Sequence, residues 1–240
     1  MNHNNKVLSE QERIEFCELA DKVINDFTKS IEILFNMHER LTLEEDGWLK
    51  KKEGHLIDLR LFVSYCYCDI VILTKQFILS THYYEKAFTY GKLKVVLNES
   101  FKKLYGFTKS SQNKSYFAQL KEAAKEFPKF RDKLEMFSND LDEMSRKKSW
   151  WKEERNAEVH LDVKMLDKFR NKDIYEGQVI LDVISIFDIF DRINELSSSI
   201  HQTVTTYASK DELPTAFIFK LPVDHSLHPQ SSPLKNNSHK

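Results

Sequence analysis

The sequence predicts an all-α protein, an elongated helical bundle of about five to six helices that ends in a disordered tail. The 240 residues include only five glycines and five prolines, and four of the prolines lie at position 214 or beyond. Because these two residues are the usual helix breakers, about two hundred residues are nearly free of interruption. Seventeen phenylalanines and a hydrophobic fraction of 41% are enough to build a sizeable core.

We expect one helical domain, because this length is long for a single core but short for two. The domain is predicted to span residues 1–213, and residues 214–240 are predicted to form a short extended segment and a tail. Within that end, Thr215–Leu221 has the composition of one strand. The residues after it, Pro222–Lys240, are rich in Ser, Asn, His and Pro and are predicted to be disordered.

The first two predicted helices span about residues 9–45 and 55–81. Ser9 and Glu12 fit a capping box, in which a hydroxyl and a carboxylate satisfy the amides at a helix start. Asp46-Gly47 is predicted to end the first helix. The second helix has apolar residues at alternating steps of three and four, which is typical of a bundle seam. These residues are Leu56, Leu59, Val63, Cys66, Ile70, Leu73 and Phe77.

Three further helices are predicted downstream. The third runs from about Tyr83 to Tyr105, with Gly106 as its carboxyl-terminal cap. The fourth spans about residues 115–145 and is kinked or restarted at Pro128. The last helix, about Gln178–Tyr207, has apolar residues around most of its circumference, so we expect it to be central in the bundle.

Charge and cysteine content narrow the functional classes. The net charge is −1, from 36 basic and 37 acidic residues, so no overall field favours nucleic acid or membrane, although a local basic patch remains open. Three cysteines do not suit a disulfide framework, and Cys66 and Cys68 are interpreted as core residues rather than metal ligands. The apolar run Leu61–Leu79 contains Asp69 and Lys75, which favours a core helix over a membrane span. With no signal-peptide pattern at its start, the chain is expected to be cytoplasmic.

The motif with the clearest chemical meaning is Arg155-Asn156-Ala157-Glu158-Val159-His160. Its Arg is followed by Asn and, four residues after that, by His, shortly before the last core helix. This segment resembles the R-x4-6-H motif of the HEPN superfamily, in which the residue after Arg is usually Asn, Asp or His. Catalytic members of that superfamily are small, all-α, metal-independent endoribonucleases of toxin–antitoxin, abortive-infection and CRISPR-linked systems.

The resemblance implies a metal-independent endoribonuclease, defence- or toxin-related, that uses no cofactor. RNA supplies its own nucleophile in the 2′-hydroxyl, so the protein needs only to move protons and stabilise charge. His160 is expected to act as acid or base, and Arg155 to bind phosphate oxygens and offset the charge of the transition state. Asn156 completes the motif. The products would end in a 2′,3′-cyclic phosphate.

Arg155 and His160 are separated by about 140° around the axis of a regular helix. From an unbroken helix they therefore cannot face one phosphate, so either the helix breaks between them or the site is completed elsewhere. The resemblance implies a homodimer in which the motifs of two chains meet in one cleft. It also implies RNA as the substrate and an antitoxin protein as a possible partner.

A basic and aromatic segment precedes the motif. Its residues are Lys147, Lys148, Trp150, Trp151 and Lys152. Indole rings stack on bases and lysines follow phosphates in proteins that bind single strands, so these residues are predicted to bind RNA. The alternative is a helix-end anchor made by the two tryptophans beside a solvated cluster of lysines.

Asp69 lies on the most apolar predicted helix, and carboxylates are seldom buried without a partner. We therefore expect Arg155 or His160 to lie against it, so that Asp69 orients the motif. The alternative is an ion pair with Arg60 or Lys75 at a solvent edge.

Two functional interpretations stay open. The first is the endoribonuclease, and the second is a non-catalytic HEPN-like helical module that binds a nucleotide, RNA or a protein partner. A third, purely structural interpretation makes His160 a core histidine and Arg155 a surface partner of nearby carboxylates. Fold alone does not choose between them.

Overall fold

The computed structural model describes residues 8–42, 47–147 and 176–208, and these residues form a helical bundle without any strand. The predicted all-α class is confirmed for them. No helix in these three ranges is both long enough and apolar enough to cross a membrane. The elements are α1 (Glu10–Thr42), α2 (Trp48–Leu79), α3 (Tyr83–Leu104), α4 (Lys109–Gln112), α5 (Tyr116–Ala124), a 3-10 turn (Pro128–Phe130), α6 (Arg131–Lys147) and α7 (Glu176–Ala208). The predicted strand and tail at 215–240 lie outside the described residues.

The start of α1 confirms the predicted capping box. The Ser9 amide donates to Glu12 Oε2 at 2.8 Å, and the Glu12 amide donates to Ser9 Oγ at 3.3 Å. The start of α2 was predicted too late, near residue 55, whereas the helix begins at Trp48. Gly54 lies inside this helix with open space around its Cα, and one glycine costs a helix only about 0.5–1 kcal/mol.

The predicted breaks between the later helices are also observed. Gly106 follows α3 with a φ of 89°, a conformation that glycine adopts without strain. Pro128 opens the 3-10 turn, which leads directly into α6, so the chain restarts at this proline as expected. An unpredicted single-turn helix, α4, occupies the polar segment between α3 and α5.

The central helix of the described bundle is α2, not α7 as the sequence predicted. It packs against α1, α3, α5 and α7, whereas α7 packs mainly against α2. Leu56, Leu59, Val63 and Ile70 are each 0% exposed. Apolar residues around a helix indicate that the helix is buried. They do not indicate how many other helices pack against it.

Contacts between named residues fix the directions of the helices. Ion pairs join α1 and α2 at both halves, His38 with Asp58 and Lys75 with Asp21, so these helices are antiparallel. Tyr67 of α2 donates a hydrogen bond to Asp191 of α7, and its ring stacks on Phe187 with centroids 4.3 Å apart. Glu53, near the start of α2, faces His201, near the end of α7, so this pair is antiparallel as well.

Candidate functional site

The predicted catalytic motif lies between α6 and α7, outside the described residues. This holds for Arg155, Asn156 and His160, and also for Lys148, Trp150, Trp151 and Lys152. Lys147 is the last residue of α6. The structure therefore defines the two flanks of the motif segment, the end of α6 and the start of α7, and both flanks can be described.

Glu176, the first residue of α7, is the best-anchored residue on these flanks. Its side chain is 3% exposed, and Oε1 accepts hydrogen bonds from Arg13 Nη2 at 2.5 Å and Lys86 Nζ at 2.7 Å. Oε2 accepts a further bond from the Leu8 amide at 3.0 Å. Charge-assisted bonds of this kind are about twice as strong as neutral ones. The helix that follows the motif is therefore fixed to the starts of α1 and α3.

A second charged contact lies two turns further along α7. Lys94 Nζ lies 2.7 Å from Asp182 Oδ2, and the two side chains are 1% and 2% exposed. Gln178 donates to the other carboxylate oxygen at 3.4 Å. Neither this pair nor Glu176 was identified from the sequence, because the partners are 88 or more positions apart and no local pattern connects them. The sequence signal for this pair is a charged residue, Asp182, inside an otherwise apolar stretch.

The other flank, at the end of α6, is acidic. An open cavity of about 730 Å³ lies between α6 and the residues around α4, and Asp140, Asp142, Glu143 and Arg146 contribute to its wall. Asp140 is paired with Arg192 of α7, so the wall carries two further carboxylates against the Arg146 guanidinium, a balance that does not attract a phosphate backbone. The described part of α6 therefore adds no basic surface to the RNA-binding residues predicted after it.

Asp69 lies on a side of α2 that no described helix covers. Its side chain is exposed, and no salt bridge joins it to a cation in the described part of the chain. Lys75, one of the alternative partners, pairs with Asp21 instead at 2.5 Å. Partial desolvation raises the pKa of the Asp69 carboxyl. Arg155 and His160, the expected partners, lie outside the described residues, so a contact between them and Asp69 stays a prediction.

Arg60, the other alternative partner, is buried in the contact between α2 and α7. The residue is 4% exposed, and no described residue accepts a hydrogen bond from its Nε. Burial lowers the pKa of its guanidinium. Glu53 and Tyr67 lie one heptad before and after Arg60, and both contact α7, so Arg60 faces the middle of the α7 segment 191–201.

Polar atoms without described partners accompany Arg60 along this contact. They are Ser64 Oγ, Asn194 Oδ1 and Ser197 Oγ. Buried polar atoms are satisfied in most proteins, so four on these two helices are unusual.

The cysteine pair was predicted to be core. Cys66 is buried, the Ser100 hydroxyl donates to its Sγ at 3.2 Å, and burial raises the pKa of the thiol to about 11. Cys68 is only partly buried, because neighbouring positions on a helix point in different directions. Across the described ranges, no three side chains of His, Cys, Asp or Glu are grouped as metal ligands.

Comparison with known proteins gives no family assignment: no family model matches the chain, and no curated protein or solved structure is significantly similar to it. The HEPN resemblance therefore depends on the six-residue motif and on the helical fold.

Proposed function

We propose that this chain is a metal-independent endoribonuclease of HEPN type that acts as a homodimer and belongs to a defence or toxin system. The observation that carries the proposal is the Arg155-Asn156-x3-His160 arrangement in a chain whose described residues are all helical. The sequence has none of the common nucleotide-binding or hydrolase motifs, so this pair is the most chemically active group that we identify in it.

The chemistry needs only the two side chains and the RNA. An imidazole titrates near neutral pH, so His160 can take the proton from a 2′-hydroxyl or give one to the leaving 5′-oxygen. A guanidinium binds two phosphate oxygens at once, so Arg155 can offset the charge that develops as the 2′-oxygen attacks phosphorus. The bond from phosphorus to the 5′-oxygen breaks, which leaves a 2′,3′-cyclic phosphate on one fragment and a 5′-hydroxyl on the other.

Of the two described flanks, the start of α7 is held in place by buried ion pairs, which supports the proposal of an ordered site. Glu176 holds the start of α7 through Arg13 and Lys86, so the segment that carries His160 ends at a fixed point. Catalytic groups gain most when the surrounding structure holds them in the productive geometry. The acidic end of α6 gives no comparable help with phosphate binding, which places that task on Arg155 and on the lysines and tryptophans before it.

The decisive experiment is incubation of the purified chain with total RNA. We expect cleavage products with cyclic phosphate ends, unchanged by EDTA. His160→Ala and Arg155→Ala should each lower the cleavage rate by about a hundredfold or more. His38→Ala is the matched control, because this histidine is 42% exposed and lies at the surface near Asp58; its rate should equal that of the wild type.

Circular dichroism and thermal unfolding separate a catalytic role from a structural one. The two motif variants should keep the wild-type helical signal and melting temperature. If the wild-type chain cleaves no RNA and His160→Ala costs roughly 1–3 kcal/mol of stability, the motif is structural. In that case the alternative holds, a non-catalytic helical module that binds a nucleotide, RNA or a protein.

A further inference from the structure

One face of the described bundle is apolar and uncovered. On α2, residues 65, 69, 72, 76 and 79 recur at steps of four and three and are all exposed. Tyr65, Ile72 and Leu79, which are one heptad apart, are 47%, 38% and 54% exposed. A heptad-spaced apolar stripe is the pattern of a helix that packs against another helix, yet no described helix covers it.

The start of α3 extends this face. Tyr84 and Phe88 are 53% and 58% exposed, and together with Leu79 they line an open cavity of about 440 Å³ where α2 meets α3. The five side chains are called the α2–α3 face below: Tyr65, Ile72, Leu79, Tyr84 and Phe88. Single exposed apolar residues are ordinary, but a group of this size is at the upper end of what a monomer exposes, and such patches are often functional.

We infer that the α2–α3 face is the surface through which two copies of this chain associate about a two-fold axis. Large side chains of these types carry roughly 150–250 Å² each, so five half-exposed ones offer roughly 500 Å² per copy. Two copies together would bury about 1,000 Å² of apolar surface, which is the lower bound for a specific interface before any polar rim is added. Three of the five residues are aromatic, as is typical of the centre of such interfaces.

The stripe on α2 is also complementary to itself. If two α2 helices cross antiparallel at Ile72, Tyr65 meets Leu79 of the partner subunit, and Asp69 meets Gln76 of the partner subunit. Apolar groups then face apolar groups, and the carboxylate faces an amide that can donate to it. No like charges are brought together, so a two-fold axis at Ile72 is compatible with the charge pattern of the stripe.

This inference deepens the homodimer of the proposed function and in that respect rests on it. Lys86, which binds Glu176, lies between Tyr84 and Phe88 on α3. Positions 84 and 88 share one face of α3, whereas position 86 points away from it, so the contact between Lys86 and Glu176 lies on a different side of α3 from the α2–α3 face. The α2–α3 face is therefore free of the contacts that hold the start of α7.

The test is sedimentation equilibrium of the full chain over a range of concentrations. The wild type should be a dimer, and Ile72→Glu and Phe88→Glu should each raise the dimer dissociation constant by about thirtyfold or more. Met136→Glu is the matched control, because this residue is the most exposed large apolar side chain among the described residues, at 68%, and lies on α6. It should leave the dissociation constant unchanged.

A cysteine at Ile72 tests the position of the axis. Ile72→Cys should form a disulfide with its own copy under mild oxidation, because a residue on a two-fold axis meets itself. Met136→Cys should not. The wild-type chain, with Cys17 and Cys68 in place, provides the background.

The outcomes of the two hypotheses are distinguishable when RNA cleavage is assayed on the same preparations. A dimer that the face variants dissociate supports the inference, even if no RNA is cleaved. The inference is overturned if the wild-type chain is monomeric at tens of micromolar. It is also overturned if neither Ile72→Glu nor Phe88→Glu weakens the dimer, even if RNA is cleaved. The inference is overturned as well if the chain is a monomer and the two glutamate substitutions lower its stability, because the α2–α3 face is then covered by the chain itself.

Discussion

Lys94 and Asp182 form an ion pair that is almost completely excluded from solvent, with Nζ 2.7 Å from Oδ2 and side-chain exposures of 1% and 2%. The pair joins α3 to α7 six residues after Glu176, the residue at which the chain leaves the motif segment. A charge this deeply buried is stable only while its partner is present.

Breaking the pair should therefore cost much more than losing one surface contact. We expect Lys94→Met to lower the free energy of unfolding by about 3–5 kcal/mol, because it leaves the Asp182 carboxylate without its counter-ion. The double change Lys94→Met with Asp182→Leu should lose less than the single change. Lys75→Met is the control, since its pair with Asp21 is partly exposed and should be worth less than about 1 kcal/mol. Urea unfolding measures all three, and an additive double mutant would contradict the expectation.

Gly54 and Gly106 should respond to substitution by alanine in opposite directions. At Gly106, φ is +89° and an added Cβ would lie 2.5 Å from Ser111 Oγ and 2.8 Å from the Gln112 amide nitrogen. Gly106→Ala should lower the free energy of unfolding by about 2 kcal/mol or more. Gly54 lies within α2 with nothing near the added atom. Gly54→Ala should raise the free energy of unfolding by about 0.5–1 kcal/mol. Urea unfolding measures both variants, and a change of the same sign at both sites would contradict the prediction.

Arg60 and Arg13 offer a second contrast. No described residue bonds Arg60 Nε, whereas Arg13 pairs with the buried carboxylate of Glu176. Arg60→Met should leave the free energy of unfolding unchanged or raise it by about 1 kcal/mol, because an unsatisfied buried donor is removed. Arg13→Met should lower it by about 1–3 kcal/mol. Guanidinium chloride unfolding compares them, and a large loss for Arg60→Met would reveal an anionic partner in solution.

Cys66 should make the fold less stable in alkali. Burial raises the pKa of its thiol to about 11, whereas a cysteine in the unfolded chain has a pKa of about 8.5. Between these values the folded state retains a proton that the unfolded chain has lost, so the free energy of unfolding falls as pH rises. One such group gives a slope of up to about 1.4 kcal/mol per pH unit.

The variant Cys66→Ser isolates this effect. Between about pH 8 and pH 10 the wild type should lose about 1–2 kcal/mol more than the variant, because serine has no proton to lose in that range. Cys17→Ser is the control and should follow the wild type. Parallel pH profiles of the wild type and Cys66→Ser in urea unfolding would show that the thiol is not buried in solution.

The fold was largely predictable because its determinants are local. The capping pair Ser9 and Glu12, the cap Gly106 and the break at Pro128 all act within a few residues of their own positions, and all were confirmed. The late start assigned to α2 came from treating Gly54 as a boundary. A glycine marks a boundary only where the backbone needs its freedom, and inside α2 it does not.

The surroundings of the candidate site were less predictable because they depend on distant contacts. The cationic partners of Glu176 and Asp182 lie 88 or more positions earlier in the chain. Asp69 shows the converse, since its helix is apolar but its own side of the helix meets no described neighbour. Hydrophobic periodicity says which residues share a face, and only the packing decides which face is covered.

The bond between the Leu8 amide and Glu176 spans 168 positions in sequence. During synthesis at about 5–20 residues per second, Leu8 is made roughly 10–30 s before the residue that it binds. For that interval the side of α2 that receives α7, with Arg60 and Tyr67, has no permanent cover. The earlier helices can pair among themselves, but the bundle closes only when its last helix arrives. A nascent chain of this protein is therefore expected to depend on chaperones until late in its translation.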